Sequence, residues 1–336
     1  MLAARFLGDR RISVEELPAP RIANPDDCLV RVMTCGICGS DKRVVSEPVA
    51  RDEIMGHEVA GQVIEVGEGV SRVSAGDRVV VYNLIGCGQC PACLQGRITY
   101  CQDTRGSVNG GFGGVLVAPE RNLLPLPDDI GWERGCLFTD VLGTPFKAMR
   151  LAGVREGDTV VVLGCGPIGL GAVQVGAAKG ARVMAVDVLD YRLRAAQSMG
   201  AEVVHNAGSG DVPQAARSWT GTGADFAFDC TGSPEQTITA LDCVRPGGRA
   251  MCVGANAHLE FSPWRHIISR DVTLGGSWYL HYEDYFACLE LYRATGLDPL
   301  KMVTHRVPIE DIARGFDLFI DRVEDCIKVI VMVCPR

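Results

Sequence analysis

The sequence predicts an α/β fold: a doubly wound parallel sheet preceded by a β-rich region, with two domains in all. Three observations carry this. The first is alternation after Arg155-Glu156-Gly157-Asp158. Thr159–Leu163 is an apolar run, Pro167–Lys179 a small-residue helix, Arg182–Val186 a second apolar run and Tyr191–Met199 a second helix. Apolar strands alternating with helices mean a parallel sheet covered on both faces. The second is the contrast with residues 1–150, where short β-rich runs such as Leu29–Met33, Val59–Val66 and Arg78–Tyr82 are separated by turns at Gly67-Glu68-Gly69 and Ala75-Gly76-Asp77. The third is length, since 336 residues exceed what one core usually organises. Ala224–Asp229, Arg249–Val253 and Val272–Gly275 read as later strands, Ile309–Ile320 as a helix and Ile327–Val333 as a closing strand.

Composition narrows the function classes. Hydrophobic content of 47% with 22% charge is ordinary for a globular chain, and a net charge of −8 with pI near 5.3 argues against nucleic acid or anionic membrane as partner. No apolar run approaches the ~18 residues of a membrane span. The start, Met1-Leu2-Ala3-Ala4-Arg5-Phe6, is not a secretory signal, so a cytoplasmic protein is expected. Fifteen cysteines in a reducing compartment then point to thiols or metal sites rather than disulfides. Cys165, Cys230, Cys243, Cys252, Cys288, Cys326 and Cys334 sit singly among apolar residues and read as small buried hydrophobes.

The strand Thr159–Leu163 runs into Gly164-Cys165-Gly166-Pro167-Ile168-Gly169, a G-x-G-x-x-G between strand and helix. Gly164 permits the tight turn, Gly166 lets a pyrophosphate approach the backbone, and Gly169 lets helix and strand pack closely. The helix start at Pro167 offers N–H groups and a positive dipole end to phosphate. Asp187, about 20 residues on, can accept both ribose hydroxyls and repel the extra phosphate of NADP. A Rossmann domain binding NAD is expected, with NADP a lesser option through Arg192. Val253, ending a later strand, is a further cofactor contact.

Two metal constellations are visible. Cys87-x-x-Cys90-x-x-Cys93 with Cys101 beyond supplies four thiolates at the spacing of a closed, structural zinc site; an iron–sulfur cluster is the other possible occupant. The second is dispersed: Cys35-Gly36-Ile37-Cys38-Gly39-Ser40-Asp41, followed by Gly56-His57-Glu58.

In this order, over nearly the whole chain, C-G-I-C-G-S-D, G-H-E, the four-cysteine lobe and G-x-G-x-x-G resemble the zinc-containing medium-chain alcohol, polyol and threonine dehydrogenases. The resemblance implies a mainly β, GroES-like catalytic domain at residues 1–151 and 278–336 around a Rossmann domain at 152–277. It makes Cys38 and His57 ligands of a catalytic zinc, Cys35 a neighbour, Asp41 the carboxylate that orients the histidine and Glu58 an acid beside the metal that coordinates it in some relatives. Asp140, in Cys136-Leu137-Phe138-Thr139-Asp140, occupies the slot of the third ligand. A helix-start acid after Thr139 is the plainer reading there. Ser40 takes the alcohol's proton. Thr144 packs under the nicotinamide with Ile168 behind it, and Lys328 sits where relatives place a basic residue on the pyrophosphate. The implied reaction is hydride transfer between a secondary alcohol, activated by zinc as Lewis acid, and NAD.

One departure stands out. Relatives commonly continue S/T-D-x-H, whereas here Ser40-Asp41 is followed by Lys42-Arg43, and arginine does not deprotonate in this range. The proton leaves another way. Arg43 is left either as an exposed charge or as a holder of phosphate, on the cofactor or on a substrate.

Asn83 falls where relatives specialised for simple alcohols carry an aromatic wall, and an amide there disfavours a hydrocarbon tail. Asn109, Asn256, His281 and Glu283 are other polar candidates, and Phe112, Trp264 and Trp278 candidate walls, although aromatics near a sheet's end are more often core. A polyol, sugar or (amino)cyclitol is therefore expected over a simple secondary alcohol, with a homodimer or homotetramer implied by family alone. A zinc-free quinone or enone reductase and a non-catalytic binding protein of the same fold are the rivals.

Overall fold

The structure is a computed structural model that describes residues 1–255 and 258–334. It divides into two compact units, Met1–Asp140 with Val303–Arg336, and Val141–Met302.

The second unit is the doubly wound fold. Its six strands are all parallel and lie in the order Val203–Asn206, Arg182–Asp187, Thr159–Leu163, Ala224–Asp229, Val244–Cys252, Thr273–Gly276. Counted from Thr159–Leu163 this is 3-2-1-4-5-6, with the switch point beside the first strand, where such sheets bind nucleotides. Val160, Val161, Val162 and Leu163 are fully buried, as strands covered on both faces must be. Helix Gly143–Ala152 belongs to this unit and packs on helices Pro167–Ala178 and Tyr282–Thr295.

The first unit is built on a seven-stranded sheet in which Asp27–Gly36 pairs antiparallel with Glu58–Val66, Lys328–Met332 and Val115–Pro119. Phe6, Phe112 and Phe316 meet in the hydrophobic core of this unit with ring centroids 5.3–6.1 Å apart. Phe112 is therefore a core side chain with no exposed surface, a correction to its reading as a pocket wall. Trp264 and Trp278 are 68% and 61% exposed, so neither is a core residue. Asn256 lies outside the described residues. The closing helix runs Ile312–Asp321, after a short 3-10 turn at Ile309–Asp311.

Close packing explains two of the fingerprint glycines. A Cβ on Gly169 would stand 1.7 Å from the Gly164 carbonyl oxygen, and Gly164, at φ +87°, would place one 2.5 Å from Thr231 Cγ2. Gly169→Ala should cost roughly 1–3 kcal/mol through overpacking. A wild-type melting temperature in that variant would contradict this packing.

Candidate functional site

Strand register assembles the first cluster. Gly36, the last residue of its strand, lies opposite Glu58, the first residue of the next, and opposite Ile330 on the other side. Cys38 just beyond one strand end and His57 just before the other start therefore converge, and Lys328 comes in from the third strand. Asp140 arrives on Phe138–Leu142, a π-helical turn. Such turns reset side-chain direction and recur at functional sites. One ligand atom from each of Cys38, His57, Glu58 and Asp140 lies within 4.8 Å of the others.

The polar contacts fix the orientation of each group. The Cys38 thiol donates to Asp140 Oδ2 at 3.3 Å. His57 Nδ1 sits 3.4 Å from Asp41 Oδ1, which turns Nε2 toward Ser40 Oγ at 3.5 Å. Asp41 Oδ2 in turn accepts the Cys38 backbone N–H at 2.9 Å, so one carboxylate orients both neighbours. Burial lowers the His57 pKa, but the Asp41 carboxylate and Cys38 outweigh it and hold the ring well above its usual value. Burial, then Asp140, pushes the Cys38 thiol up. A thiol, an imidazole and two carboxylates crowded out of water call for a shared cation, and this donor set suits zinc. Cys35 is packed elsewhere: its Sγ lies against Gly56 and Gly111, where an added Cβ would come within 3.0 and 2.6 Å.

Lys328 is fully buried, and its Nζ stands 2.6 Å from both oxygens of Glu58 and 2.8 Å from the Ile37 carbonyl oxygen. Burial lowers its pKa, but Glu58 overrides this and holds the ammonium charged, above the usual lysine value. The side chain assigned by resemblance to the cofactor's pyrophosphate is thus engaged within the acid cluster. Gly36 makes that pair possible, because a Cβ there would lie 2.3 Å from Glu58 Oε2. Sequence reasoning passed over Gly36, and its only signal was its place in the Cys-rich loop.

The second cluster is the cysteine lobe. One sulfur from each of Cys87, Cys90, Cys93 and Cys101 lies within 4.8 Å of the rest. The backbone N–H of Cys87 donates to Cys101 Sγ and that of Cys90 to Cys87 Sγ, both at 3.4 Å. Backbone N–H groups of Gln89 and Cys90 draw the Cys87 thiol down to about 6, while burial drives Cys93 up to about 12. A Cβ on Gly86 would stand 2.5 Å from Cys93 Sγ, so glycine leaves the thiol room to converge. The four-thiol set fits a closed zinc site.

In the other unit, Asp187 accepts the backbone N–H groups of Cys165, Val188 and Leu189 at 2.7–3.0 Å, and Arg192 Nη1 lies 3.8 Å from it. Gly166 differs from its two companions: a Cβ there would meet only Arg192 Nη1, at 4.0 Å. Packing within the chain does not require that glycine, and the space there is compatible with a phosphate approaching the backbone. Pro167 and Ile168 open the helix, Thr144 is buried on helix Gly143–Ala152, and Val253 is half-buried past its strand.

Asn83 is half-buried, its backbone carbonyl accepting from Val108 at 2.6 Å, and Asn109 reaches Glu53 at 3.5 Å. His281 is a correction: it is buried and caps helix Tyr282–Thr295 in a reciprocal box with Asp284. Glu283 pairs with Arg150 at 3.4 Å.

Residues 24–128 match the model of the alcohol dehydrogenase GroES-like domain, and residues 167–294 that of the zinc-binding dehydrogenase. The chain is 32% identical to the L-threonine 3-dehydrogenase of Symbiobacterium thermophilum over 91% of its length and 90% of that protein's. It is 30% identical to the sorbitol dehydrogenase of Bacillus subtilis, covering 98% and 97%. The chain belongs to the zinc-dependent medium-chain dehydrogenase family. The crystallised alcohol dehydrogenase of Thermus sp. ATN1, 33% identical, superposes with a TM-score of 0.89 over 99% of this chain and 100% of that one. The family fold accounts for the sheet topology of both units, a GroES-like domain and a doubly wound parallel sheet. Among the described residues of this dehydrogenase, no helix is long and apolar enough to cross a membrane.

Two tests follow. Cys90→Ser should release about one zinc per chain and lower the melting temperature by roughly 5 °C or more, with the Cys38 cluster still loaded. Unchanged metal content and melting would remove the lobe's structural role. Burial, then Lys147, depresses His281 to about 4. Its folded value lies below the unfolded one, so the stability it contributes is complete above about pH 6.5 and is lost as pH falls toward 4. His281→Asn, which keeps a capping side chain, should lose less melting temperature between pH 7 and pH 5 than the wild type. An equal loss would contradict the assignment.

Proposed function

We propose that the chain is a zinc-dependent, NAD-linked dehydrogenase that interconverts a polar secondary alcohol, of the polyol, sugar or (amino)cyclitol class, with its ketone. The observation that carries this reading is the convergence of Cys38, His57 and Asp140, with Glu58 held beside them by Lys328. Those three residues would hold the catalytic zinc and leave one position open; Cys87, Cys90, Cys93 and Cys101 would hold the structural one. When bound, the catalytic ion supplies Lewis acidity that lowers the pKa of the substrate hydroxyl.

The chain's own residues do the rest. Asp41 fixes the His57 ring with Nε2 facing the site. Ser40 Oγ, 3.5 Å from that nitrogen, is placed to take the substrate's proton. Burial pushes the Glu58 carboxyl up, and the Lys328 ammonium opposes this while holding the group beside the ligands. Gly164, Gly166 and Gly169 shape the nucleotide loop, and Asp187 favours NAD over NADP by repelling a 2′-phosphate. The relatives named for threonine and sorbitol support a polar secondary alcohol, as does Asn83. Fifteen cysteines without a disulfide among the described residues suit a cytoplasmic enzyme, and the family suits a homo-oligomer.

The deciding experiment follows NAD(H) absorbance across alkanols, polyols, sugars and cyclitols, with zinc counted on the same sample. Turnover of a polyhydroxylated secondary alcohol with about two zincs per chain is expected. Activity confined to simple alkanols would overturn the substrate class, and turnover without zinc would overturn the mechanism. Asp140→Ala should lose the catalytic zinc, keep the structural one and lower kcat/KM by at least about 100-fold. Asp187→Ala should narrow the preference for NAD over NADP by roughly 10-fold, and unchanged selectivity would sink that assignment.

A further inference from the structure

Arg43 is the residue that the proposed mechanism leaves without a role. It is exposed on the short helix Gly39–Val45, and it has no hydrogen-bond or ion-pair partner among the described residues. Its neighbours are otherwise engaged. Lys42 Nζ reaches the Ile320 carbonyl oxygen at 3.4 Å, and Glu47 is paired with Arg51. The buried side of the helix is formed by Asp41 and Val45. Its open side bears a groove of about 560 Å³ running from Gly39 past Arg43 to Pro48.

The groove's lining of Gly39, Lys42, Arg43, Ser46, Glu47 and Pro48 stops short of Ser40, and it is helix geometry that relates Arg43 to that residue. Side chains on a helix lean toward its N-terminus, so Arg43 covers the preceding turn, which is that of Gly39 and Ser40. Three residues separate Arg43 from Ser40, about 4.5 Å along the axis, and positions i and i+3 share a face. Gly39, Ser40 and Arg43 are all exposed, and a Cβ built on Gly39 meets nothing within 4 Å, so this turn of the helix is open to solvent beside Ser40. A planar, permanently charged fork is the side chain best matched to a phosphate or carboxylate.

We propose that Arg43 binds an anionic group of the substrate, so that the preferred substrate is a polar secondary alcohol carrying a phosphate or carboxylate a few bonds from the reacting carbon. This rests on the dehydrogenase reading and narrows its substrate class. The role of Arg43 is to orient the substrate, and it exchanges no proton with it.

The test compares wild type, Arg43→Gln and Arg43→Lys on three substrates: sorbitol, sorbitol 6-phosphate and gluconate. NADH affinity is measured in parallel by fluorescence. An exposed position should tolerate either replacement. Wild type should favour one of the two anionic substrates over sorbitol by roughly 10-fold or more in kcat/KM. Arg43→Gln should collapse that preference through KM, and Arg43→Lys should restore part of it. Which anionic substrate responds tells phosphate from carboxylate. No preference in wild type, or an equal fall on all three, would overturn the proposal. So would weakened NADH binding in Arg43→Gln, which would assign the guanidinium to the cofactor's phosphates.

Inorganic phosphate gives a readout independent of turnover. It should raise the melting temperature of the wild-type holoprotein more than that of Arg43→Gln. Equal shifts would remove the anion subsite. A differential shift with no alcohol turned over would instead remove the dehydrogenase reading and leave the subsite standing.

Discussion

The antiparallel pairing of Asp27–Gly36 with Glu58–Val66 is the constraint on which the cluster of Cys38, His57, Glu58 and Asp140 depends. Opposing Gly36 to Glu58 puts the end of one strand against the start of the next, so two segments distant in sequence deliver Cys38 and His57 to one place. Because side chains alternate faces, a slip of one residue would turn Glu58 away from Lys328 and leave a buried carboxylate without its cation. The ion pair and the strand register therefore specify each other. Gly36 is the meeting point, since any side chain there would occupy the space of the Glu58 carboxylate.

The same logic of omitted side chains organises the nucleotide loop, with a difference that bears on function. Gly164 and Gly169 are glycines because the chain collides with itself otherwise. Gly166 is a glycine where the chain leaves space. Packing explains the first two; the third is left to the proposed approach of a cofactor phosphate. The Asp187 carboxylate joins loop and strand by accepting three backbone N–H groups, so the acid proposed to select the cofactor also holds the loop in shape.

Much of this was legible in the sequence because spacing encodes geometry. The parallel sheet followed from apolar runs alternating with helices, and the four-cysteine lobe from ligand intervals that a short loop can close. What stayed hidden depends on tertiary contact. Lys328 reads as a cation available to phosphate, yet it is sealed beneath the cluster, and a lysine at the head of the apolar run Lys328–Met332 was the one hint. Phe112 reads either as a pocket wall or as a core aromatic near a sheet's end, and its ring completes a three-aromatic core. His281 reads as a polar loop residue, but capping a buried helix start uses up its polarity. The early hairpin of Leu2–Phe6 with Ile12–Glu16 gave no strong periodic signal, because its second strand is only partly buried.

The central claim is that two chemically distinct donor sets each hold a zinc ion. X-ray absorption at the zinc edge of the purified chain tests it most directly, because a sulfur-only site and a mixed site average in a fixed way. Full occupancy of both predicts about 2.5 sulfurs per zinc at ~2.3 Å, with nitrogen and oxygen neighbours near ~2.1 Å. A value near four sulfurs per zinc, with about one zinc per chain, would mean that only the cysteine lobe holds metal. The Cys38–His57–Asp140 cluster would then not be a metal centre.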